Sequence, residues 1–205
     1  MQPTTFSMES NLRDIEVSHI ILDKSDHIIF REITEKSELT AGLKLRYNEY
    51  LNSRLRYWVE KNMNGVLDID DWDPYARHFG LYAENISDKP IGYMRVIQDS
   101  LTNVCNIVYD LSKDIGLNLN PPKYKFSVLS YFPGVQERLI ETAKNFNKEM
   151  IICEPGRFTI KKEFRNYKNA KFLSECAIAT YSTHFTHSIM SCAESHFKFY
   201  NKIGF

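Results

Sequence analysis

The stretch from Ile151 to Phe158, "IICEPGRF", sets a carboxylate and a guanidinium three residues apart directly after an apolar run. Ile151, Ile152 and Cys153 read as a buried strand. A charge buried beside them costs several kcal/mol unless it is paired or used. A partly desolvated glutamate gains proton affinity, which suits it to take a proton near neutral pH. Glu154 is therefore a candidate general base for an attacking amine. The alternative is a structural ion pair with Arg157 or with Arg95, and the two roles are compatible. Gly156 would let a substrate approach the main chain closely. Pro155 has no N–H, so main-chain donors to a developing oxyanion would come from Gly156, Arg157 or Phe158.

Other polar groups cluster. In "LRYNEYL", Arg46 and Tyr50 stand four residues apart on one helix face. "DIDDWD" crowds Asp68, Asp70 and Asp73 around Trp72, and such carboxylates repel unless cations balance them. They form either a charge network shaping a pocket, a solvated acidic loop, or a calcium loop. The last lacks the mid-loop glycine and closing glutamate of an EF-hand. Lys161, Lys162, Arg165, Lys168 and Lys171 follow Gly156 with no further glycine in "RFTIKKEFRNYKNAKF". That run is a basic docking surface or an ordinary solvated helix start. His184 and His187 have a metal-compatible helical spacing but no third ligand in sight, and ordinary structural histidines are the alternative. Cys153 reads as core rather than nucleophile, because neighbouring strand residues face opposite ways.

These groups need elements to hold them. "HIIFREI" reads as a strand, with Thr34 or Ser37 capping a helix whose stripe is Leu39, Leu43, Tyr47, Tyr50 and Leu51. "HFGLYAEN" and "PIGYMRVI" form a hairpin about "SDKP". Residues 99–130 carry no clear period, and "LNLNPPKYKF" reads as a loop. A helix after Pro133-Gly134 has Val135, Leu139, Ile140, Ala143 and Phe146 in register. "EMIICEPGRFTI" is a strand, residues 169–185 a helix, "HSIMSCAE" a strand and "SHFKFYNKIGF" a last helix ending at Gly204. The class is α/β (α+β): one domain with a central mixed, mostly antiparallel sheet flanked by helices. Residues 1–26 read as a polar N-terminal extension and 27–205 as the domain.

Composition narrows the function. Lys plus Arg and Asp plus Glu are 26 each, so no net field draws the chain to nucleic acid. No apolar run approaches about 18 residues, so no membrane span is expected. The first ten residues lack a signal-peptide pattern. Four widely spaced cysteines make no metal pattern and imply reduced thiols in a cytoplasmic protein.

The order Arg46-x-x-x-Tyr50, Asp70-x-Trp72-Asp73, Gly92-x-x-Arg95 and Glu154-x-Gly156-Arg157-Phe158 resembles the acyl-homoserine lactone synthases and the N-acyl amino acid synthases. The aromatic-rich end "HFKFYNKIGF" looks like that of the wider GNAT (Gcn5-related N-acetyltransferase) superfamily. The likeness runs from about Ile28 to Phe205 and is poor over 100–130. Gly156 stands where the lactone synthases have serine, and Trp58 matches their tryptophan only loosely; both fit the N-acyl amino acid branch better. GNAT domains continue into two more strands beyond the point where this sequence ends. The resemblance implies a GNAT-like domain transferring a fatty acyl group from acyl carrier protein to the amine of an amino acid or similar small amine. Alternatives are lactone synthesis from S-adenosylmethionine, or a non-catalytic domain that binds acylated carrier protein or lipid. It assigns Glu154, Gly156 and Arg157 to catalysis, and Arg46, Tyr50, Trp58, Asp70, Asp73, Arg95 and Phe158 to the substrate pocket. Lys161, Lys162, Arg165 and Lys168 would meet the carrier and its pantetheine. No tightly bound cofactor is expected. The donor is acyl-phosphopantetheine on the carrier rather than acyl-CoA, since the glycine turn that cradles a pyrophosphate is missing. Residues 100–130 and the sheet would wall a tunnel for the acyl chain.

Overall fold

The computed structural model describes residues 20–21, 28–57, 67–84, 86–98, 104–132, 134–145, 150–181, 184–192 and 194–202. In chain order these give β1 (Ile20–Ile21), β2 (Ile28–Glu32), α1 (Lys36–Leu51), β3 (Ala76–Ala83), β4 (Gly92–Gln98), α2 (Asn106–Asp114), α3 (Ser127–Tyr131), α4 (Val135–Asn145), β5 (Ile152–Ile160), α5 (Tyr167–Tyr181), β6 (His187–Ser188) and α6 (Glu194–Lys202). All lie in one α+β domain. The six strands form one sheet in the order β1 to β6. Pairing is antiparallel up to β5, and β6 runs parallel to β5. The strand–helix–hairpin–helix–strand–helix–strand–helix order expected from the sequence is present. Two helices are added in the segment that carries no period, and Ile20–Ile21 extends the sheet edge within residues 1–26.

Two local expectations change. The N-cap of α1 is Glu35, with no side-chain cap from Thr34 or Ser37. The helix expected over 169–185 ends at Tyr181, so His184 and His187 do not share a helix; His187 opens β6 and its Nδ1 lies 2.9 Å from Thr186 Oγ1. Gly204 lies outside the described residues.

The two faces of the sheet are packed differently. On one, α5 places Phe172, Leu173, Cys176 and Ala177 on Ile28, Phe30, Phe79, Leu81, Met94, Val96 and Ile160. The spacing of those helix residues is the i, i+1, i+4, i+5 stripe of a helix on a sheet. On the other, α1 lies over β4 and β5 and buries Leu39, Gly42, Leu43, Arg46, Tyr47 and Tyr50. Gly42 permits this approach, since a Cβ there would stand 2.7 Å from the Tyr93 ring.

β5 carries a bulge that decides the site. Tyr93 pairs with Thr159 and Arg95 with Gly156, so two steps on β4 answer three on β5. Arg157 sits there with φ +56°, the non-glycine left-handed residue among those described. The extra residue reverses the strand's alternation. Cys153 and Ile160 belong to one core cluster with Phe158 packed on it, while Glu154 and Arg157 both face the α1 side. A regular strand would have put residues three apart on opposite faces.

Candidate active site

The loop before β3 brings its carboxylates inside. Asp68, Asp70 and Asp73 are all buried, so neither a solvated acidic loop nor an open calcium loop describes them. Arg46 donates from Nε to Asp68 Oδ2 at 2.6 Å, and from Nη1 and Nη2 to the two oxygens of Asp73 at 2.9 and 2.7 Å. Arg95 Nη1 donates to Asp73 Oδ1 at 2.7 Å and also to Asp70. Arg157 Nη2 donates to the other oxygen of Asp70, and its Nη1 lies 3.7 Å from Asp68 Oδ2. The six groups thus form a closed ring of alternating charge: Arg46, Asp73, Arg95, Asp70, Arg157, Asp68. Three cations answer three anions, which is how so many charges are tolerated without solvent.

The loop's own turn fixes the carboxylates. Asp73 Oδ2 accepts from the Asp70 N–H at 2.8 Å and Asp70 Oδ1 from the Trp72 N–H at 3.0 Å. Burial works against the charged form of Asp70 and Asp73, but the guanidiniums override it. Arg95 with Arg157 holds Asp70 below the usual carboxylate range, and Arg46 with Arg95 holds Asp73 well below it. His78 and Tyr93, which the sequence did not single out, back the ring. His78 Nδ1 lies 2.7 Å from Tyr93 Oη and its Nε2 3.0 Å from the Asp73 carbonyl, and Arg46 Nη1 reaches the same phenol at 3.3 Å. Burial pushes the imidazole down to about 4, so it is neutral at pH 7.

Glu154 stands outside the ring. Its Oε1 accepts from the Ser127 hydroxyl and its Oε2 from the Val128 N–H at 3.3 Å. Among the described residues it makes no ion pair, so the pairing with Arg157 or Arg95 weighed from the sequence is not what the structure contains. Burial raises its carboxyl above the usual range, while the Ser127 hydroxyl and the Arg95 charge act in the opposite sense. Ser127 and Val128 come from α3, inside the segment without periodicity, and no sequence signal marked them. Tyr131, one turn further along α3, lies 6.2 Å from Trp72 between ring centroids. Trp72 is itself anchored by its Nε1–H to the Tyr124 carbonyl at 3.0 Å.

Of the remaining candidates, Tyr50 is buried with the Arg157 guanidinium 5.9 Å from its ring. Gly156 faces open space, since a Cβ there would meet no atom within 4 Å. Phe158 packs on Phe199 and Tyr200 of α6, with centroids 6.1 and 6.5 Å apart. Trp58 lies outside the described residues. Lys161, Lys162 and Lys168 are exposed. Arg165 is tied down, donating to the Ile160 carbonyl at 2.9 Å and pairing with Glu49.

Across the strand the chemistry reverses. β6 pairs with β5 only at Ile152 and Cys153. Met94, Val96, Cys153 and Pro155 from the sheet meet Ala177, Ile178, Phe185 and Ser188 around an apolar pocket. Residues 104–130 do not wall it: α2 packs with α1 and α3 lies over Glu154, both on the charged face.

The sequence matches no protein-family model and no curated protein. Among solved structures the chain is similar to FeeM, an N-acyl amino acid synthase from uncultured soil microbes, with a TM-score of 0.51 and 14% identity over 84% of this chain and 75% of that one. It is also similar to an acetyltransferase of Trypanosoma brucei (TM-score 0.47, 11% identity, 87% and 92% covered). A third is glucosamine-6-phosphate N-acetyltransferase from Arabidopsis thaliana (0.44, 11%, 87% and 90%). What is shared with the first of these is the fold, a GNAT-type α+β domain.

Proposed function

We propose that this protein is an N-acyltransferase that moves a fatty acyl group from acyl carrier protein to the amine of an amino acid or related small amine. One observation carries the reading: β5 has the buried Glu154 on one face and a small apolar pocket on the other, and among the described residues its partner β6 pairs with it at two positions. In this reading an amine and an alkyl chain would approach one strand from opposite sides. The thioester carbonyl would meet the amine near Gly156, where the main chain is open. Glu154, whose proton affinity burial raises, would receive the amine's proton. Main-chain N–H groups at the bulge, from Gly156, Arg157 or Phe158, would stabilise the oxyanion before the thiolate departs. The charge ring would shape the acceptor pocket, with Tyr50, Trp72 and Tyr131 around it. Lys161 and Lys162 would meet the acidic carrier. The likeness to an N-acyl amino acid synthase supports this reading at the level of fold.

The test is direct. The chain is expressed in a host with active fatty acid synthesis, and the organic extract is analysed by mass spectrometry. An N-acyl amino acid is expected, together with thiol release from purified acyl carrier protein in the presence of an amine. An acyl lactone with methylthioadenosine would indicate the lactone synthase instead. Tight binding of the acylated carrier without turnover would indicate a binding domain.

A further inference from the structure

Glu154 is only 4% exposed, and both of its oxygens point at α3. Ser127, whose hydroxyl donates to Oε1, is itself buried beside it. Tyr131 lies four residues on along the same helix, 40% exposed, within electrostatic reach of Asp70, Arg157, Arg95 and Glu154. Ser127 and Tyr131, one turn apart on α3, therefore lie near both Glu154 and the Arg157–Asp70 end of the charge ring. With both carboxylate oxygens turned to α3, an amine on that side would reach Glu154 by way of the serine.

Resting on the acyl-transfer reading, we propose that Ser127 relays the acceptor's proton to Glu154. As the amine nitrogen bonds the thioester carbon, its N–H bond breaks and Ser127 Oγ takes that proton. The serine's own proton passes to Glu154 Oε1, so the serine stays neutral and the carboxylate is neutralised. The C–S bond then breaks, the thiolate takes a proton from solvent, and Glu154 returns its proton to solvent. A lone serine is a poor base; one already bonded to a buried carboxylate has an acceptor waiting.

The experiment compares Ser127→Ala, Glu154→Gln, the double variant and Ser127→Thr in steady-state acyl transfer, with the Glu154 carboxyl followed by 13C NMR titration. Ser127→Ala should lower kcat by ~10²-fold with the KM for the amine little changed. The double variant should be no slower than Glu154→Gln, because both remove one path. Ser127→Thr, which keeps the hydroxyl, should recover most of the rate. The Glu154 titration midpoint should rise in Ser127→Ala, since the donor that favours the ionised form is gone. Additive losses in the double variant, or an unmoved Glu154 midpoint, would overturn the relay. A wild-type chain that acylates no amine would overturn the function and the relay together, and the titration would still report whether Ser127 governs Glu154. Should Ser127→Ala fail to fold, the Thr variant decides: a rate as low as that of Glu154→Gln sinks the proposal.

Discussion

The two faces of β5 are built from one strand and share no chemistry. On the α1 side, Arg157 closes a ring of buried charge and Glu154 accepts from Ser127 and Val128; on the α5 side, Cys153 and Pro155 line a pocket that is apolar but for Ser188. The charged face is rigid by over-determination, since every member of the ring answers two partners of opposite sign. The apolar face is held by dispersion and exclusion of water, which do not prescribe direction. A specific polar acceptor suits the first kind of surface and an alkyl chain suits the second. The bulge at Arg157 lets one strand carry both.

The comparison is broken most severely at the ring. Replacing Arg46 with Met leaves Asp68 and Asp73 without their main partner in a buried site. The expected loss is about 3–5 kcal/mol, read as a shift of the urea midpoint. A loss comparable to that at an exposed residue would show that the ring is solvated. Acid should probe the same side. Asp70 and Asp73 have folded values below their unfolded ones, so their stabilisation is present above about pH 4 and is lost as pH falls through the folded values. His78, at about 4 when folded, binds its proton later than the unfolded chain does. It adds a loss that begins as pH falls below about 6.5. Stability that stays flat from neutral pH down to about 5 would contradict the buried neutral imidazole.

The second effect separates function from fold. Glu154→Gln should leave the structure intact, because the amide can accept from the Val128 N–H and donate to Ser127 Oγ. Turnover should fall by ~10²-fold or more, while stability at pH 7 is retained or rises. The sign follows from Glu154's folded value lying above its unfolded one: its contribution is most favourable when protonated and declines as pH rises through that value. In the active protein the same group should give kcat/KM an acid limb above the usual carboxylate range. Full activity in the Gln variant would remove the glutamate from the mechanism.

The legibility of the two sides differs as well. The strands and the long helices follow periodic apolar residues, so the stripe from Leu39 to Tyr50 and the hairpin around "SDKP" were readable. Arg46, Asp70, Asp73 and Arg95 were readable as charges needing partners, but their closure into a ring was not, because it depends on hydrogen bonds between residues 22 to 87 apart. The orientation of Arg157 was hidden by the bulge: simple alternation places it away from Glu154, and only the register shift reverses that. Ser127 was invisible. It lies on a five-residue helix whose position is set by packing of Phe126 and Val128 under Trp72, not by local propensity. The apolar pocket draws on separate elements, so no single window of sequence could report it.

On the apolar side the expected effect is smaller and falls on selectivity. Ala177→Leu adds three carbons to the pocket wall opposite Cys153 and Pro155. Each methylene of substrate kept out of the pocket forfeits about 0.8 kcal/mol, roughly fourfold. The longest acyl donors should lose about tenfold in kcat/KM relative to short ones, while Glu154's acid limb stays where it was. The overpacking itself should cost about 1–3 kcal/mol. An equal loss for all chain lengths would mean that the alkyl group does not enter this pocket.

The smallest effect should lie outside both faces, where the proposed function would bring the donor. Arg165 and Lys171 are engaged by Glu49 and Glu175, whereas Lys161 and Lys162 are exposed on the turn that follows β5. A pair of exposed lysines does not hold a pyrophosphate, but it can steer an acidic carrier, and steering acts on association and is screened by salt. Reversing both, Lys161→Glu with Lys162→Glu, should therefore raise the KM for the acylated carrier several-fold at low ionic strength and less at 0.5 M salt (about a 4 Å screening length). Turnover at saturation should be unchanged, because neither residue approaches Glu154 or the pocket. A small pantetheine thioester lacking the carrier should be used equally well by both forms. If it is, and the carrier's KM does not move, the turn is only a solvated helix start and the donor docks elsewhere on the molecule.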